Sequence, residues 1–389
     1  MKKFVVMSFG LLLAISAASP NCWALIFQFD GDTDNTFLTG ANWNEFVTNT
    51  DGLPGAGDRA IINDSFVVTY GLGAEAGVTT TLGSLIVGAD WPVTGDLGTP
   101  GTLNMSDGKL IVTGGGDNFQ IGRACCAGDG AMNMTGDSEL EIGGSDPIVG
   151  TRDNGVLDVG DTASVHPTTG VENYWRLGNY GPSIDAGLEG NGLLNVHGNG
   201  SFSAHVIFIG DNDATGELRV SDNGSVVLTG NLVPRPSGLQ AMGSAKVQMN
   251  GASATLSAFN LESESLAGEI PTLYEFNADP SLGVSPITLT DAINITNNDL
   301  EVNLDGFVLP NLAKLLLFDG DQALAGNRVF GTFTNLTVDG VLNPSNYTVV
   351  YDQPNGDILL MNTIPEPTTT LLLGLGTVIA ICAKRRASR

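Results

Sequence analysis

The sequence predicts an all-β chain whose body is a parallel β-solenoid, a rod of short strands wound into about six coils. Composition is the first support, because glycine contributes 52 of the 389 residues and charged residues only 15%, against about 25% in ordinary domains. The second support is an apolar-glycine pair that recurs about every 30 residues. The five pairs are Val87-Gly88, Ile121-Gly122, Val149-Gly150, Leu177-Gly178 and Ile209-Gly210.

Each pair is followed by a loop rich in glycine and aspartate, and then by a strand in which apolar and polar residues alternate. We expect Leu103 and Met105 to point inward and Asn104 to face water. A three-strand unit of about 30 residues cannot bury its inner face alone, so neighbouring units must stack. First strands are predicted at 101–105, 130–134, 155–159, 192–196 and 216–220, and second strands at 109–112, 138–142 and 225–228.

The body is predicted to have three parts. Residues 25–80 form an N-terminal cap and first coil, residues 81–262 the solenoid repeats, and residues 263–362 a C-terminal antiparallel β module. The module is inferred because the repeat is lost from Ser285 onward, while turn signals such as Asn355-Gly356 continue. Right-handed winding is expected from the chirality of parallel crossovers. A β-propeller is the rival fold, but its units would need four strands and about 40 residues.

Two segments of the body carry resemblances to known proteins. Asn42-Trp43 followed by residues 53–58 resembles the Asn-Trp…Pro-x-x-Gly-Asp start of many secreted bacterial solenoid proteins. Residues 329–333, 347–351 and 356–360 resemble the region that ends autotransporter-like passenger solenoids. These resemblances imply an exported solenoid, although no membrane barrel follows the second segment.

The first 24 residues predict a secretory signal peptide. Lys2 and Lys3 precede an apolar run, 4–13, that gives way to small residues. Cleavage after Ala24 or after Ala18 would satisfy the small-residue rule, and Ala24 is favoured because a strand-like run begins directly after it. Lipoprotein processing at Cys22 is the weaker alternative.

The C-terminal segment, residues 363–389, has three consecutive features. The first is Pro365-Glu366-Pro367, and the second is an uncharged run, 368–383, predicted as a transmembrane helix although it is shorter than the roughly 20 residues that cross a bilayer comfortably. The third is a basic cluster expected to stay cytoplasmic. The cluster consists of Lys384, Arg385 and Arg386.

This arrangement resembles the PEP-CTERM sorting signal of Gram-negative bacteria. The resemblance implies membrane anchoring, then cleavage near residues 365–367 by an exosortase-type membrane protease, and final location at the cell surface or in the extracellular matrix. An ordinary single-span anchor is the alternative. Neither interpretation says what the upstream body does.

Charge narrows the classes of partner. Acidic residues outnumber basic ones by 42 to 16, for a formal charge of −26, so nucleic acid is excluded as a default partner. An acidic surface repels anionic polymers unless divalent cations bridge them, so loosely bound calcium is the only cofactor considered. Extracellular polysaccharide is the remaining candidate partner.

Catalysis has weak support in the sequence, so we predict that the protein is not an enzyme. A β-helix invites comparison with polysaccharide lyases and glycosidases, but few cations are available to them in the body. Arginines near the apolar-glycine pairs would either stack as a ladder on one outer face or remain separate surface charges. The arginines considered for the ladder are Arg123, Arg152 and Arg176, and Arg219 lies in a further repeat. A surface polysaccharide-active enzyme and a carbohydrate-binding module are the alternative functions.

Metal binding is also not predicted. Asp30, Asp32 and Asp34 are spaced like the start of a calcium loop, but Asn35 and Ala41 stand where glycine and glutamate are required. A hydrated turn is therefore the preferred interpretation, and the same holds for residues 211–213. The three histidines are too scattered in sequence for a zinc site. They are His166, His197 and His205.

Cysteine and aromatic residues leave alternatives open. Cys125 and Cys126 are adjacent, and they form a vicinal disulfide, an intermolecular link or neither. Four aromatic residues are predicted to lie in inserted loops, where they anchor the loops or stack on sugar rings. These four are Trp91, Tyr174, Trp175 and Tyr180.

Overall fold

The computed structural model describes residues 25–89, 99–114, 118–123, 128–179, 190–211, 214–234, 243–263, 270–320 and 328–363. Three strands open this part of the chain: β1 (Ile26–Phe29), β2 (Trp43–Glu45) and β3 (Thr50–Asp51). Two 3-10 turns, Gly40–Asn42 and Gly73–Glu75, accompany the first strands. Nowhere in the described ranges is a helix long and apolar enough to cross a membrane.

The solenoid follows, with three strands in each coil. The first three coils contain β4 (Arg59–Ile62), β5 (Val67–Tyr70), β6 (Thr79–Leu82), β7 (Ser84–Ala89), β8 (Gly101–Met105), β9 (Lys109–Val112), β10 (Phe119–Arg123), β11 (Gly130–Met134) and β12 (Glu139–Ile142). The next three contain β13 (Ile148–Val149), β14 (Asn154–Val159), β15 (Ser164–Pro167), β16 (Tyr174–Leu177), β17 (Asn191–Val196), β18 (Ser201–Ala204), β19 (Val206–Ile209), β20 (Thr215–Ser221) and β21 (Ser225–Leu228).

Three further coils contain β22 (Leu232–Pro234), β23 (Ser244–Asn250), β24 (Thr255–Ala258), β25 (Leu261–Glu262), β26 (Leu273–Asn277), β27 (Ile287–Leu289), β28 (Ile293–Asn294), β29 (Asn298–Asn303) and β30 (Lys314–Gly320). The last strands are β31 (Val329–Phe330), β32 (Phe333–Val338), β33 (Val341–Leu342), β34 (Tyr347–Asp352) and β35 (Asp357–Asn362). We call the sheets built from the first, second and third strands of the coils sheets A, B and C; they contain 13, 11 and 11 strands.

The predicted parallel β-solenoid is confirmed. Strands of successive coils pair in parallel and in register, as where β8 pairs with β11 and Leu103 lies opposite Met132. Leu103 and Met105 are buried while Asn104 between them is partly exposed, as alternation predicts. The inward residues of all three sheets form one continuous hydrophobic core.

The recurring glycines are explained by how closely the coils approach. All five glycines of the apolar-glycine pairs have positive φ, between +69° and +78°. At Gly88 an added Cβ would lie 2.3 Å from the carbonyl oxygen of Asp129 in the next coil. Only glycine tolerates both the left-handed backbone and that contact, so the residue recurs once in each of these coils.

The predicted count of about six coils is too low. Nine coils are complete in the described residues, and parallel pairing runs through β26, β29 and β30 inside the region 263–362. Antiparallel pairing in that region joins β32 to β33, β30 to β35 and β34 to β35. The apolar-glycine pair is absent from the coils of β25 and β28, since β25 is followed by Ser263 and β28 by Ile295 instead of glycine.

An aromatic plug closes the N-terminal end of the solenoid. Trp43 is fully buried, and its ring makes edge contacts with Phe29 at 5.2 Å and Phe37 at 4.9 Å. Its indole N–H donates to the carbonyl of Phe37 at 2.6 Å. The tryptophan of the Asn-Trp pair therefore belongs to the hydrophobic core of this chain.

Candidate functional site

A row of polar side chains follows the outer face of sheet B, and we call it the polar row. Its members lie opposite one another in successive coils because the strands pair in register. Asn133 Nδ2 donates to Asn104 Oδ1 at 2.8 Å, which shows how amides join neighbouring coils. The polar row comprises Asn104, Asn133, Asp158, Asn195, Arg219, Gln248, Glu275 and Glu301.

The centre of the polar row is charged, and its side chains pair with one another and with the flanking residues Glu217 and Lys246. Arg219 donates from Nε to Gln248 Oε1 at 2.8 Å and from a terminal nitrogen to Glu217 at 2.9 Å. Lys246 lies 2.8 Å from Glu275 and 3.6 Å from Glu217. Partial burial opposes ionisation of Glu275, but hydrogen bonds led by that from Lys246 outweigh it and lower the pKa of the carboxyl.

A second charged cluster lies on the outer face of sheet C. Lys109 Nζ lies 2.5 Å from Glu139 and 2.6 Å from Glu141, and His166 Nε2 lies 2.7 Å from Glu139. The hydrogen bonds that Lys109 donates to Glu139 and then to Glu141 raise the pKa of its ammonium. The hydrogen bond from Lys109 is the main reason that the pKa of Glu141 is lowered. Together these values describe ionised partners at neutral pH.

Glu139, Glu141 and His166 present ligand atoms within 4.8 Å of one another, a spacing that would suit a divalent cation. The ammonium of Lys109 lies between the two carboxylates, so it already supplies the positive charge that they share. The arrangement therefore serves as a four-residue ion-pair cluster joining three coils. Sequence reasoning missed it; aligning the third strands of successive coils would have exposed it.

The arginine ladder, which was the alternative to separate surface charges, does not form in the described residues. Arg176 lies in register with Ile148 and Phe208, whereas Arg123 pairs with Ala89. Arg219 lies on sheet B. The apolar-glycine pairs are in register from coil to coil, but the arginines stand at different distances from them. Arg123 directly follows Gly122, whereas Arg176 precedes Gly178 by two residues.

Arg176 instead forms its own cluster on the outer face of sheet A. Its guanidinium contacts Asp211 and lies 3.5 Å from Asp146. It also lies 5.4 Å from the centre of the Phe208 ring, a cation–π distance. Two carboxylates and one aromatic ring therefore engage this cation, and Asp211, predicted as a turn residue, is its ion-pair partner.

The histidines lie in three different environments. Besides His166 in the sheet C cluster, His197 Nε2 lies 3.1 Å from Asp158 in the polar row. His205 contacts the Thr229 hydroxyl at 3.0 Å and packs edge-on against Tyr174, with ring centres 5.6 Å apart. Each histidine thus extends a local polar contact between coils.

The aromatic prediction is wrong for Tyr174 and Trp175. Both lie on β16 rather than in a loop. Trp175 is fully buried and makes edge contacts with Phe119 at 5.5 Å and Phe202 at 4.9 Å, so a sugar ring cannot reach it. The strand was missed because the preceding turn is short and polar. Trp91 and Tyr180 lie outside the described residues.

The Asp30 to Asp34 segment is a turn organised by Asn42. The buried Asn42 amide accepts from the backbone N–H groups of Thr33 and Asp34, each at 3.0 Å, and donates to the Asp34 carboxylate at 2.6 Å. Hydrogen bonds, first among them that of Thr36, lower the pKa of Asp34. Burial, with the nearby Asp32 charge second, raises the pKa of Asp30. These contacts form a turn, which is the interpretation that the sequence favours for this segment.

Several predicted residues lie outside the described part of the chain: the signal segment 1–24, Cys125, Cys126, and the C-terminal residues Pro365, Glu366, Pro367, Lys384, Arg385 and Arg386 with the predicted transmembrane helix. The roles predicted for these residues therefore remain predictions. The sorting motif is tested independently by comparison with known families.

The described residues define the class of protein: a parallel β-solenoid whose outer faces carry charges paired within and between coils. A family model for the PEP-CTERM protein-sorting motif matches residues 363–386. The chain therefore carries the PEP-CTERM sorting signal that the sequence predicts, which implies export, membrane anchoring before processing, and processing by an exosortase, a membrane protease. No curated protein and no solved structure matches the chain.

Proposed function

We propose that this protein is a non-catalytic component of the cell surface or exopolymer matrix, with a structural or adhesive role after processing at its C-terminal signal. The observation that carries the proposal is the sorting motif at 363–386, joined directly to a rigid solenoid body. A rod of stacked coils suits this role because it holds its outer faces at fixed spacing over its whole length.

The non-catalytic part of the proposal is supported by how the charged residues are used. The cations Lys109, Arg176 and Lys246 each lie between two carboxylates on an outer face. Glycoside hydrolysis needs two carboxyl groups facing one sugar ring across about 5–9.5 Å, with one of them held protonated. Here, despite partial burial, hydrogen bonds from lysines lower the pKa of Glu139, Glu141 and Glu275, which opposes such protonation and suits cohesion between coils.

The polar row gives the proposal a candidate contact surface. Amides, carboxylates and one guanidinium are arranged along sheet B at the coil spacing of roughly 4.8 Å, and they present both hydrogen-bond donors and acceptors to the solvent side. Extracellular polysaccharide is the partner that this chemistry fits, because hydroxyl groups both donate and accept. Exosortase is the partner during processing.

The test is intact-mass analysis of the protein recovered from surface-washed cells and from the membrane fraction of its host. We expect a surface or matrix species that ends between residues 365 and 367. As a control, a chain with Pro365→Ala and Pro367→Ala should keep the same body and accumulate in the membrane fraction. A wild-type chain found only in the membrane and retaining Arg389 would show an ordinary anchor and overturn the proposal.

A further inference from the structure

Strand β34 leaves one edge of sheet C unpaired in the described residues, where the strand order ends β34-β35-β30. Thr363 N–H donates to the Asn346 carbonyl at 2.8 Å, so these two residues form a hydrogen-bonded pair of the hairpin. Hydrogen-bonded pairs alternate along an antiparallel ladder. The peptide groups of Tyr347, Val349 and Tyr351 therefore face away from β35. Among them the Tyr347 N–H already donates to the Pro344 carbonyl at 3.3 Å, so the Tyr347 carbonyl and both peptide groups of Val349 and Tyr351 are the ones offered to a partner strand.

This edge lacks the features that usually protect one. It has six residues, all of them partly exposed, and four of them are aromatic or β-branched valines. Its one charge, Asp352, lies at its end, and the strand contains no proline. A groove of about 340 Å³ lies between β34 and β32, with Phe333 and Leu336 in its wall. The free edge thus offers backbone groups beside a groove of mixed polar and apolar lining.

We propose that two copies of this chain pair through β34, antiparallel, about a two-fold axis at Val349. The sequence of the strand is nearly palindromic, Tyr-Thr-Val-Val-Tyr, so the two ends of one copy match those of the other. Tyr347 then lies opposite Tyr351 of the second copy, and Val349 lies opposite itself. Aromatic and β-branched pairs are favourable cross-strand partners.

The register required by the free backbone groups is the same one that matches the side chains. Residues 347, 349 and 351 are the ones with outward peptide groups, and a two-fold axis at Val349 pairs them with one another. Thr348 lies opposite Val350 in this register, and Asp352 lies opposite Asn346, so no like charges meet. A foreign strand would need to reproduce this match, whereas a second copy has it already.

The position of β34 favours pairing at the membrane. The hairpin ends at Asn362, and the sorting segment begins at residue 363. Copies held by that segment would carry their β34 edges at one height above the bilayer, which raises their effective concentration. This step rests on the proposed anchoring, but the pairing does not. One strand pair is small beside the roughly 1,200–2,000 Å² of a stable interface, so the dimer is expected to be weak in dilute solution.

Cysteine cross-linking in the full-length chain tests the pairing. With the four natural cysteines replaced by serine, Thr348→Cys and Val350→Cys are made as separate variants and examined in membrane fractions under mild oxidation. Opposed residues have Cα atoms about 4.5–5.5 Å apart, within disulfide range. We expect covalent dimer when the two variants are mixed, and at least about fivefold less from either alone, because self-contacts are diagonal at about 7–8 Å.

A pair of charge variants distinguishes an effect on the pairing register from a loss of folding. On a Val349→Cys reporter, Thr348→Lys with Val350→Lys places like charges opposite each other at two symmetric positions, and we expect about fivefold less cross-link. Thr348→Lys with Val350→Glu makes those contacts opposite in sign and should restore it. Equal yields from the two charge variants, or no dimer in the mixed-cysteine experiment, would overturn the proposal. Intact mass reports separately on anchoring, so the two failures are distinguishable.

Discussion

The two ends of the solenoid are finished in opposite ways. At the N-terminal end, aromatic rings close the first coil. The outermost strand of sheet A at this end, β3, has only two residues. At the C-terminal end, sheet C finishes on β34, which has six residues and a free edge. At the first end the core is closed by buried aromatic rings, and sheet C finishes on the four-residue strand β6. At the other end the outward backbone groups of the longer strand β34 can be paired only by another strand.

This difference shows that a stack of coils needs two separate solutions for its two ends. Edge strands in general are either shortened, covered or paired. At its first end the chain uses outermost strands of two to four residues and closes the core with aromatic rings. Its second end lies next to the sorting segment, where another copy can be close, and the free edge is retained there.

The largest expected effect comes from removing the N-terminal plug. Trp43→Ala deletes a fully buried ring that contacts Phe29 and Phe37, and should lower the free energy of unfolding by about 3–5 kcal/mol. Tyr351→Ala at the other end should cost less than half of that, because Tyr351 is only partly buried. Urea unfolding followed by circular dichroism measures both. Equal losses would mean that the two ends are equally closed.

A glycine pair tests how tightly each end is packed. At Gly71, in the first coil, φ is +83° and an added Cβ would lie 1.9 Å from the Asp107 carbonyl oxygen. Gly71→Ala should therefore cost about 1–2 kcal/mol for the left-handed backbone and about 1–3 kcal/mol more for the clash.

The matched control is Gly340, between β32 and β33 near the other end. Its φ is +76°, but nothing lies within 4 Å of an added Cβ. Gly340→Ala should cost only the backbone contribution of about 1–2 kcal/mol. Thermal unfolding midpoints compare the two variants, and a Gly340→Ala loss as large as that of Gly71→Ala would show that backbone conformation alone decides.

The repeats were predictable from sequence where each coil uses the same device. Alternation placed Leu103 inside and Asn104 outside, and the apolar-glycine pair marked the coil contact that requires a positive φ. The later coils were missed because polar side chains, rather than glycines, stabilise the corners between their strands. Asn298 Nδ2 donates to the carbonyl and hydroxyl of Ser263, each at 2.7 Å, and no glycine signals that corner.

The charged clusters needed a further step, the alignment of the third strands of successive coils. Lys109, Glu139 and His166 come from three coils that are separated by loops of different length. The pairing register decides which residues lie opposite each other. Loop length does not reveal this register, because loops of different length leave it unchanged. The sorting motif, in contrast, was recognised because its parts are contiguous in sequence and need no register.

The smallest effect we predict is a pH dependence that belongs to the N-terminal end. Glu75 is buried there, where it accepts hydrogen bonds from the backbone N–H groups of Leu38 and Gly71. Burial raises its pKa above the usual 4.5 despite those hydrogen bonds. The folded chain thus holds this proton more tightly than the unfolded chain does. The contribution to stability is complete below the unfolded pKa and is lost as pH rises through the folded pKa.

Glu75→Gln removes this titration, so the stability of the variant relative to wild type should increase as the pH is raised from about 4.5 to 7.5. Urea unfolding at several pH values measures the difference, and Glu172→Gln, at a carboxylate with 69% side-chain exposure, is the control that should run parallel to wild type. Parallel curves for Glu75→Gln would mean that Glu75 ionises as easily in the folded chain as in the unfolded one. The closed end would then admit water to this carboxyl, and burial at the plug would stop short of the first coil.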